Sequence, residues 1–387
     1  MNILIFNMSS YSEWTKKDIP NRNRHVLFEL LKRPDVEKIV SVDFMPFTKK
    51  RALRMYMEDF FHGDGEVISK TAFDVLRKVN KKLYIYTSVR SALFSEDAFY
   101  AHLKKRLEKI DMNTFVLWSY FPYYVGYFDY FSSAQKKVFD TVDDWSKHPN
   151  FSEKKEQLEA NYKTIDKKAD VVFTVSEKLK DIYPSNNNVH WIPNGVDFDH
   201  FQKKIDKEDE VIKRLKEIKE PRVAYVGIIQ KRVDFELVAR VARMNPRVSF
   251  VFFGPLWPDA EDEKVRSLDN VHLLGPVRYG MLPKALSLCS VGMIPHVVDA
   301  FTDTMNPLKM YDYLATGLPV VTTSVAGVGK YSDVVTEATS TEAFSSAVQH
   351  AILYSKNEHM QDKRREVAKK CSWNRTVNAM MSVIKDT

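Results

Sequence analysis

The chain has 387 residues, 44% of them hydrophobic, and this length suits two folded domains rather than one. Its formal net charge of +7 is modest for this size and is spread over both halves, which argues against nucleic acid as a partner. Two cysteines exclude a disulfide framework and a cysteine-based metal site, and no run of about 18 apolar residues predicts a membrane-spanning helix.

The chain opens with an apolar strand at residues 3–6 rather than with the pattern of a secretion signal, so we expect a cytoplasmic protein. Helical spacing of apolar residues follows over 24–31, and this order is how doubly wound α/β domains begin. No Gly-x-Gly-x-x-Gly follows the strand, so a bound dinucleotide is disfavoured. Ser10 and Arg24 in the connecting loop are candidates for substrate contacts; the alternative is a solvated loop with a capping asparagine.

Residues 47–109 mix basic and aromatic side chains, and two interpretations stay open. One is a surface that rests on anionic lipid headgroups, possible for a peripheral membrane protein. The other is a set of helices with a buried aromatic face and a solvated basic face. The residues concerned include Lys49, Lys50, Arg51, Tyr56, Phe60, Phe61, Lys81, Lys82, Tyr84 and Tyr86.

Two acidic residues, Asp143 and Asp144, follow the second of two predicted strands, 114–118 and 137–140. Carboxylates just past the end of a parallel strand lie where α/β enzymes bind ligands. The alternative is a helix start, with aspartate as the N-cap and in the first turn. An amphipathic helix over 152–168, a strand near 169–176 and a last strand before the turn at 193–197 complete the first half.

The second half restarts with a strand over 222–226 that ends in Gly227. Further apolar runs at 248–253, 271–274 and 291–295 alternate with helical patterns, which predicts a second α/β domain. Glycine at the end of a strand lets a ligand or the next helix approach the backbone closely.

Residues 306–321 combine a helix start, a helix stop and a following buried strand. We predict Asn306 as N-cap, Pro307 at the first helical position and Gly317 as the left-handed stop. The exposed N-terminus of this helix suits a phosphate, and the Asp312 carboxylate can accept two hydrogen bonds from a diol such as a ribose. The alternative is an ordinary capped helix with a surface pair of Lys309 and Asp312.

This segment resembles the nucleotide-sugar segment of the GT-B glycosyltransferases, especially family 4, whose common form is Asn-Pro-Leu-Lys-x-Tyr-Glu-Tyr-Leu-Ala-x-Gly-x-Pro-Val-Val. The turn Pro-Asn-Gly-Val-Asp at 193–197 is similar to the segment that joins the two halves of these enzymes. Residues 139–145 resemble the Tyr-Asp-x-x-Asp-Asp-Trp of bacterial family 4-like enzymes of surface polysaccharide synthesis.

The resemblance implies an α/β fold of the GT-B type, with two facing Rossmann-like, doubly wound parallel-sheet domains. It implies an acceptor-binding domain over 1–195, a nucleotide-sugar-binding domain over 196–370, and a C-terminal helix over 371–387 that packs back on the first domain through an aromatic residue like Trp373.

The resemblance also implies roles for individual residues. Lys231 and Arg232 would neutralise the leaving diphosphate, although Ile228 stands where the family usually has arginine. Thr304 stands where the family has the first of two acids, so it can offer only a hydrogen bond. The residues expected to bind the donor nucleotide are Gly227, Val277, Arg278, Thr304, Asn306, Pro307, Leu308, Lys309 and Asp312; those expected to bind the acceptor are Ser10, Arg24 and Asp143.

The function implied is transfer of a sugar from a nucleotide sugar, a UDP-sugar, to a glycan or lipid-linked acceptor in bacterial surface polysaccharide synthesis, with retention of configuration. An inverting enzyme would need a general base, for which Asp144 and Asp143 are candidates. The histidines show no ligand spacing, so no metal or other cofactor is expected. Two alternatives remain, a non-catalytic GT-B-like binding subunit and a GT-B-fold sugar-nucleotide epimerase.

Overall fold

The computed structural model describes residues 1–43 and 49–387, with the side chains of Arg51, Met55, Tyr56 and Asp59 outside that description. Residues 47 and 48 of the basic and aromatic stretch therefore lie outside the described residues, as do the side chains of Arg51 and Tyr56. The chain divides into two compact units, Met1–Ile192 with Val377–Thr387, and Pro193–Thr376.

The first unit contains a sheet of nine strands in the order β3-β4-β5-β2-β1-β6-β7-β8-β9. Strand β4 pairs antiparallel with β3 and β5, and the other neighbours are parallel. The strands are β1 Asn2–Phe6, β2 Lys38–Val42, β3 Glu66–Lys70, β4 Asp74–Lys78, β5 Leu83–Ser88, β6 Val116–Ser119, β7 Lys136–Thr141, β8 Val171–Thr174 and β9 Val189–Trp191.

Helices flank this sheet, as the strand-helix alternation predicts. They are α1 Tyr11–Thr15, α2 Arg22–Lys32, α3 Lys49–Met55, α4 Arg90–Leu93, α5 Glu96–Glu108, α6 Tyr127–Tyr130 and α7 Lys155–Lys168. A π-helical turn covers Tyr56–Phe60, and 3-10 turns cover Trp145–Lys147, Pro149–Lys154 and Glu177–Ile182.

The helical interpretation of the basic and aromatic stretch is wrong for residues 66–88, which form strands β3, β4 and β5. Asn80 sets the turn between β4 and β5, because its Oδ1 accepts hydrogen bonds from the backbone N–H groups of Lys82 and Leu83, each at 2.9 Å. Tyr84 and Tyr86 are buried in β5. Aromatic residues favour strands when they pack on a pleated surface, and here this preference outweighs the helix-forming lysines around them.

The second unit contains a parallel sheet in the order β12-β11-β10-β13-β14-β15. Its strands are β10 Arg222–Val226, β11 Ser249–Phe253, β12 Val271–Gly275, β13 Val291–Ile294, β14 Val320–Thr322 and β15 Val335–Glu337. Its helices are α8 Phe198–Phe201, α9 Glu210–Glu217, α10 Phe235–Met244, α11 Leu282–Ser287, α12 Leu308–Thr316, α13 Thr341–Leu353 and α14 Glu358–Lys370. Short 3-10 turns cover Asp262–Lys264, Tyr279–Met281, Thr302–Thr304 and Gly329–Tyr331. Each unit is thus an α/β unit, which confirms the predicted fold class.

The strand order of the second unit determines where a ligand can bind. From β10 the chain moves outward through β11 and β12, and then returns to the other side of β10 with β13. In open α/β sheets, ligands bind outside the carboxyl ends of the strands at the point where the order reverses. That switch point lies between the ends of β10 and β13.

The last helix, α15 Trp373–Asp386, divides between the two units. Trp373 is buried within the second unit, where its backbone N–H donates to Val196 O at 3.1 Å. From Val377 onward the helix belongs to the first unit, in which Lys385 Nζ donates to Asp35 Oδ2 at 2.7 Å. None of the helices in the described ranges is long and apolar enough to cross a membrane.

Candidate active site

Two glycines keep the backbone close together at the switch point of the second unit. Gly227 follows β10 with φ 126°, and Gly254 follows β11 with φ 155°, both in the range that favours glycine. A Cβ atom on Gly254 would lie 1.9 Å from the carbonyl oxygen of Gly227, and one on Gly227 would lie 3.4 Å from Nζ of Lys309. The glycines therefore let the strand ends pack against each other and against a lysine of α12.

Lys309, in the first turn of α12, places its ammonium group at this switch point. Its Nζ lies 3.1 Å from the hydroxyl of Tyr225, to which it donates, and 4.2 Å from the centre of that ring. It also lies 3.2 Å from Nε2 of His296. Burial and then the charge of Arg232 lower the pKa of Lys309 well below its usual value, while Asp312 opposes the shift. An anion bound here would favour the charged form of Lys309 and offset the free-energy cost of burying that charge.

His296 is the residue at this site that sequence reasoning missed. It follows β13 and is 1% exposed, and burial, then Lys309 and Arg232, lower its pKa well below the usual value. The ring is therefore neutral near pH 7. Its Nδ1 has no hydrogen-bonding partner within the part of the chain that the structure describes. Its place just after a buried strand beside the switch point was the available signal.

The structure separates the two cations expected to neutralise the diphosphate. Arg232 is half-buried and acts on the pKa values of both His296 and Lys309, so it lies with them. The amide oxygen of the buried Gln230, in the orientation that satisfies its hydrogen bonds, accepts from the Arg232 guanidinium. Lys231 is exposed and its charge acts on Glu261 instead. Arg232 is thus the better placed of the two.

The start of α12 differs from the prediction by one position. Pro307 is the N-cap residue and the helix begins at Leu308, so Asn306 is not the cap. Asn306 is instead held by tertiary contacts, because its Oδ1 accepts from the backbone N–H of Asn194 at 2.8 Å and from the Tyr311 hydroxyl at 3.0 Å. The predicted stop is confirmed, since Gly317 ends the helix with φ 88°.

Asp312 is half-buried one turn after Lys309. Burial, the largest cause, together with the charge of Asp197 raises the pKa of its carboxyl to about 8, while Lys309 acts in the opposite direction. The carboxyl is therefore partly protonated at neutral pH. Ligand hydroxyls that donate to the carboxylate would replace the lost hydration and favour its ionised form.

The other donor candidates lie at the edge of this group. Thr304 is buried, and its hydroxyl donates to the carbonyl of Phe301 at 2.8 Å within a 3-10 turn. Val277 is half-buried and Arg278 is exposed just beyond the end of β12. The structure thus brings together Gly227, Arg232, Lys309 and Asp312, with Leu308 in the same helix start.

Residues 220–353 match a family model described as "Glycosyl transferases group 1". This segment is a group 1 glycosyltransferase domain. It includes the switch point and α12, so Gly227, Arg232, His296, Lys309 and Asp312 lie within that domain.

The chain is also similar to TuaH of Bacillus subtilis (strain 168), a protein assigned to teichuronic acid biosynthesis as a glycosyltransferase. The two are 25% identical over 201 residues, which is 50% of each chain, so the chain spans about half the length of this curated relative.

Solved structures of the same fold cover the whole chain. Sucrose-phosphate synthase from Thermosynechococcus elongatus has a TM-score of 0.72 with 16% identity, over 100% of this chain and 98% of its own. Anabaena Alr3699/HepE, in complex with UDP, has a TM-score of 0.68 with 12% identity over 100% of both chains. These values show the fold alone. With the family match, they confirm the predicted resemblance to the GT-B glycosyltransferases.

Outside the group 1 glycosyltransferase domain, the candidates of the first unit have local structural partners. Ser10 is the N-cap of α1 in a capping box with Glu13, with hydrogen bonds of 3.2 and 3.1 Å. Arg24 Nη1 lies 3.1 Å from Asp18 Oδ1. Ser10 is thus a buried helix cap and Arg24 forms a loop ion pair, and the capping asparagine of the alternative interpretation is Asn21, whose Oδ1 accepts from the backbone N–H of Arg24 at 2.9 Å.

The acidic pair at the end of β7, Asp143 and Asp144, also has local structural partners. Asp144 is buried and caps the 3-10 turn that follows, accepting from the backbone N–H and hydroxyl of Ser146 at 3.1 and 2.6 Å. Its Oδ2 lies 3.1 Å from Lys147 Nζ. Asp143 accepts the hydroxyl of Tyr162 at 3.1 Å through its backbone oxygen. The helix-start alternative therefore describes Asp144.

A buried ion pair in the first unit was also missed. Arg22, at the start of α2, donates through Nε to both carboxylate oxygens of Asp140 in β7, at 3.0 and 2.9 Å. Burial raises the pKa of Asp140, and Arg22 opposes the shift. A charged residue within a predicted buried strand was the available signal, since buried charges are almost always paired.

Proposed function

We propose that the chain transfers a glycosyl unit from a nucleotide sugar, a UDP-sugar, to a glycan or lipid-linked acceptor. The observation that carries this proposal is the position of Lys309 and Arg232 at the switch point of a group 1 glycosyltransferase domain. A diphosphate is the part of a nucleotide sugar that needs cations of this kind. Neighbouring structures that contain UDP support the choice of nucleotide.

Each of these groups of the domain would bind one part of the nucleotide-sugar donor. Lys309, Arg232 and the backbone N–H groups at the start of α12 would hold the diphosphate. Asp312 would accept the ribose hydroxyls, and the backbone near Val277 and Arg278 would face the base. Gly227 leaves space for the phosphates to approach the end of β10.

The proposed chemistry retains the configuration at the anomeric carbon, as the family resemblance implies. The bond from the sugar to the diphosphate oxygen breaks, the acceptor hydroxyl oxygen forms a bond on the same face, and its proton passes to the leaving diphosphate. Cations beside that oxygen act where negative charge grows and so lower the barrier. No protein nucleophile, metal or other cofactor takes part in this proposal.

The acceptor side of the proposal rests on the first unit. Ser10, Arg24 and Asp143 are its candidate contacts, and Asp144 would be the general base only if the reaction inverted configuration. The likeness to TuaH supports a role in bacterial surface polysaccharide synthesis.

A peripheral contact with anionic membrane, on its cytoplasmic side, is part of the same proposal. Leu53, Met57 and Phe61 are 65%, 58% and 48% exposed, and Lys49 and Lys50 beside them are exposed as well. Apolar side chains next to lysines suit a surface of anionic lipid. Co-sedimentation with anionic and neutral vesicles tests this part, and equal binding to both would contradict it.

The decisive experiment measures binding of UDP and several UDP-sugars by calorimetry, followed by assay of transfer. Asp312→Ala should weaken UDP binding at least tenfold, whereas the control Asp333→Ala removes an exposed acid of the same unit and should leave it unchanged. UDP binding that is unaffected by Asp312→Ala would contradict the assignment. The anomeric configuration of the product distinguishes retention from inversion.

A non-catalytic binding subunit is the second candidate, favoured by Ile228 and Thr304 at positions where the family carries charge. In the structure the Thr304 hydroxyl donates to the carbonyl oxygen of Phe301 at 2.8 Å. Slow transfer or hydrolysis of any donor would contradict this candidate. Interconversion of donor sugars without an acceptor would indicate an epimerase instead.

A further inference from the structure

A cavity of the glycosyltransferase domain lies at the carboxyl edge of the sheet, on the side of β14 rather than β11. Its volume is about 560 Å³, within the range of small-molecule sites. It opens between the first turns of α10 and α13 and the ends of β13 and β14. Its wall consists of Asp234, Glu236, Leu237, Arg240, His296, Val297, Val298, Thr323, Ser324, Ala338, Thr339, Ser340 and Thr341.

His296 connects this cavity to the switch point. Its Nε2 is hydrogen-bonded to Lys309, and the residue also belongs to the cavity wall, where its backbone carbonyl accepts from Thr323. With Lys309 donating to Nε2, the neutral ring carries its proton on Nδ1, the nitrogen that lacks a partner among the described residues. A buried N–H donor without a partner costs free energy, so the position of this ring is constrained by its contact with Lys309 rather than by Nδ1.

Hydroxyl groups dominate the rest of the wall and keep unused bonding capacity. Ser340 accepts the backbone N–H of Ala343 as the cap of α13, which leaves its O–H free to donate. Thr323 donates to the His296 carbonyl at 2.7 Å, so the lone pairs of the Thr323 hydroxyl oxygen can still accept a hydrogen bond. Asp234 uses Oδ1 to cap α10, at 2.8 Å from Leu237 N, and keeps Oδ2 as an acceptor. The cavity thus offers both hydrogen-bond donors and acceptors.

The charges of the wall favour a neutral ligand over an anion. Asp234 and Glu236 are acidic, the guanidinium of Arg240 is already paired with Glu236 at 2.9 Å, and His296 is neutral. Two acids against one paired cation disfavour a phosphate or carboxylate at the two helix starts. The apolar side chains of Leu237 and Val298 provide a surface for C–H groups.

We propose that this cavity, here called the β14 cavity, binds a neutral sugar unit of a glycan, with the Ser340 hydroxyl donating to the sugar and Asp234 Oδ2 accepting from it. Hydroxyls on both ligand and wall, acids without free cations, and a small apolar surface match a polyhydroxyl ring. The choice of carbohydrate among polyhydroxyl ligands rests on the proposed function. The site is separate from the proposed nucleotide contacts, and His296 links the two through its contact with Lys309.

Methyl-labelled protein saturated with UDP tests the proposal by NMR, with maltose and cellobiose as neutral probes and glucuronic acid as the anionic probe. Neutral probes should shift the methyl resonances of Leu237 and Val298 saturably at concentrations up to about 100 mM, because single carbohydrate units bind in the millimolar range. Thr339→Trp, which fills the cavity, should reduce these shifts at least fivefold. Thr336→Trp, an exposed position of β15 outside the wall, is the matched control and should change them less than twofold.

If Thr339→Trp does not fold, Val298→Asp replaces it as a second change in the wall, read at Leu237. Shifts that are equal in wild type and cavity variants, no saturable shift with either neutral probe, or stronger binding of glucuronic acid would each overturn the proposal. The melting temperature with and without UDP is measured on the same samples. If UDP does not raise the melting temperature of the wild type, the proposed function is contradicted. Sugar-dependent shifts that Thr339→Trp reduces would even then support the β14 cavity.

Discussion

Nζ of Lys309 lies 3.2 Å from Nε2 of His296, so two basic groups share one buried position at the end of β10 and β13. Burial, followed by the charge of Arg232, lowers the pKa of Lys309, and burial, followed by the charges of Lys309 and Arg232, lowers the pKa of His296. A protein gains nothing in stability from such an arrangement. It is explained if an anion binds there, because a diphosphate would restore the lysine charge and accept its hydrogen bonds.

The role of Lys309 can be separated from that of its exposed neighbour in the same proposal. Lys309→Met should weaken UDP binding roughly tenfold or more, because a desolvated ammonium lies at the diphosphate position, and should change uridine binding less than about twofold. Lys231→Met, which removes an exposed charge, should cost UDP less than about threefold. Calorimetry measures these three affinities and the wild-type values with which they are compared. An equal loss for both variants would place the diphosphate elsewhere.

The pKa of about 8 at Asp312 predicts a pH dependence that uridine can isolate, since uridine has a ribose but no phosphate. The ionised carboxylate accepts both ribose hydroxyls, and its fraction rises as pH passes through 8. Uridine affinity should therefore increase by about 25-fold from pH 6.5 to 8.5, in proportion to the ionised fraction. Asp312→Asn should bind weakly with no pH dependence. A flat profile for the wild type would show that the carboxyl is already ionised or is not in contact with the ribose.

The same shift has a consequence for folding. A carboxyl whose folded pKa is raised binds more protons in the folded state than in the unfolded state, so it lowers stability as pH rises from about 4 to about 8. Asp312→Asn should consequently melt a few degrees higher than the wild type at pH 8, and by less at pH 5. Calorimetric scans at the two pH values measure this difference. A lower melting temperature for the variant at both pH values would contradict the raised pKa.

Local chemistry in the sequence predicted those elements whose residues are constrained by backbone geometry. Gly317 was predicted as the end of α12 because a left-handed position favours glycine, and the structure has φ 88° there. Asn306 was predicted wrongly as a cap, because its side chain is held by Asn194, which is 112 residues away in the chain. Capping rules describe neighbours in sequence and do not include such contacts.

Functional groups that depend on distant partners were not predictable in the same way. A single histidine has no motif, and His296 gains its meaning only from Lys309, thirteen residues later, and from the strand order that places both at the switch point. The pair of Arg22 and Asp140 joins residues 118 apart. The β4–β5 hairpin was misjudged because lysines around aromatic residues suit either a helix face or a strand, and packing decided between them.

Gly254 provides a test of the packing that forms the switch point. Gly254→Ala should destabilise the protein by at least about 3 kcal/mol, because its Cβ would meet the backbone oxygen of Gly227 at 1.9 Å in a conformation that alanine rarely adopts. The melting temperature should fall by roughly 6 °C or more. Gly280→Ala, where an added Cβ meets nothing within 4 Å, is the matched control and should change stability by less than about 1 kcal/mol. Similar melting temperatures for both variants would show that the loops after β10 and β11 can separate freely.

Asp144 offers the clearest distinction between a structural and a chemical role in the first unit. Its carboxylate caps the turn Trp145–Lys147 through Ser146 and contacts Lys147, and serine can also cap a helix but cannot act as a general base. Asp144→Ser should therefore retain kcat within about tenfold if the reaction retains configuration, because the leaving diphosphate then takes the proton. Asp144→Ala, which removes the cap as well, should be less stable than Asp144→Ser by about 1 kcal/mol in free energy of unfolding, and should therefore melt at a lower temperature. A fall in kcat of more than about a thousandfold in Asp144→Ser, with folding intact and with an inverted product, would make Asp144 the base of an inverting enzyme.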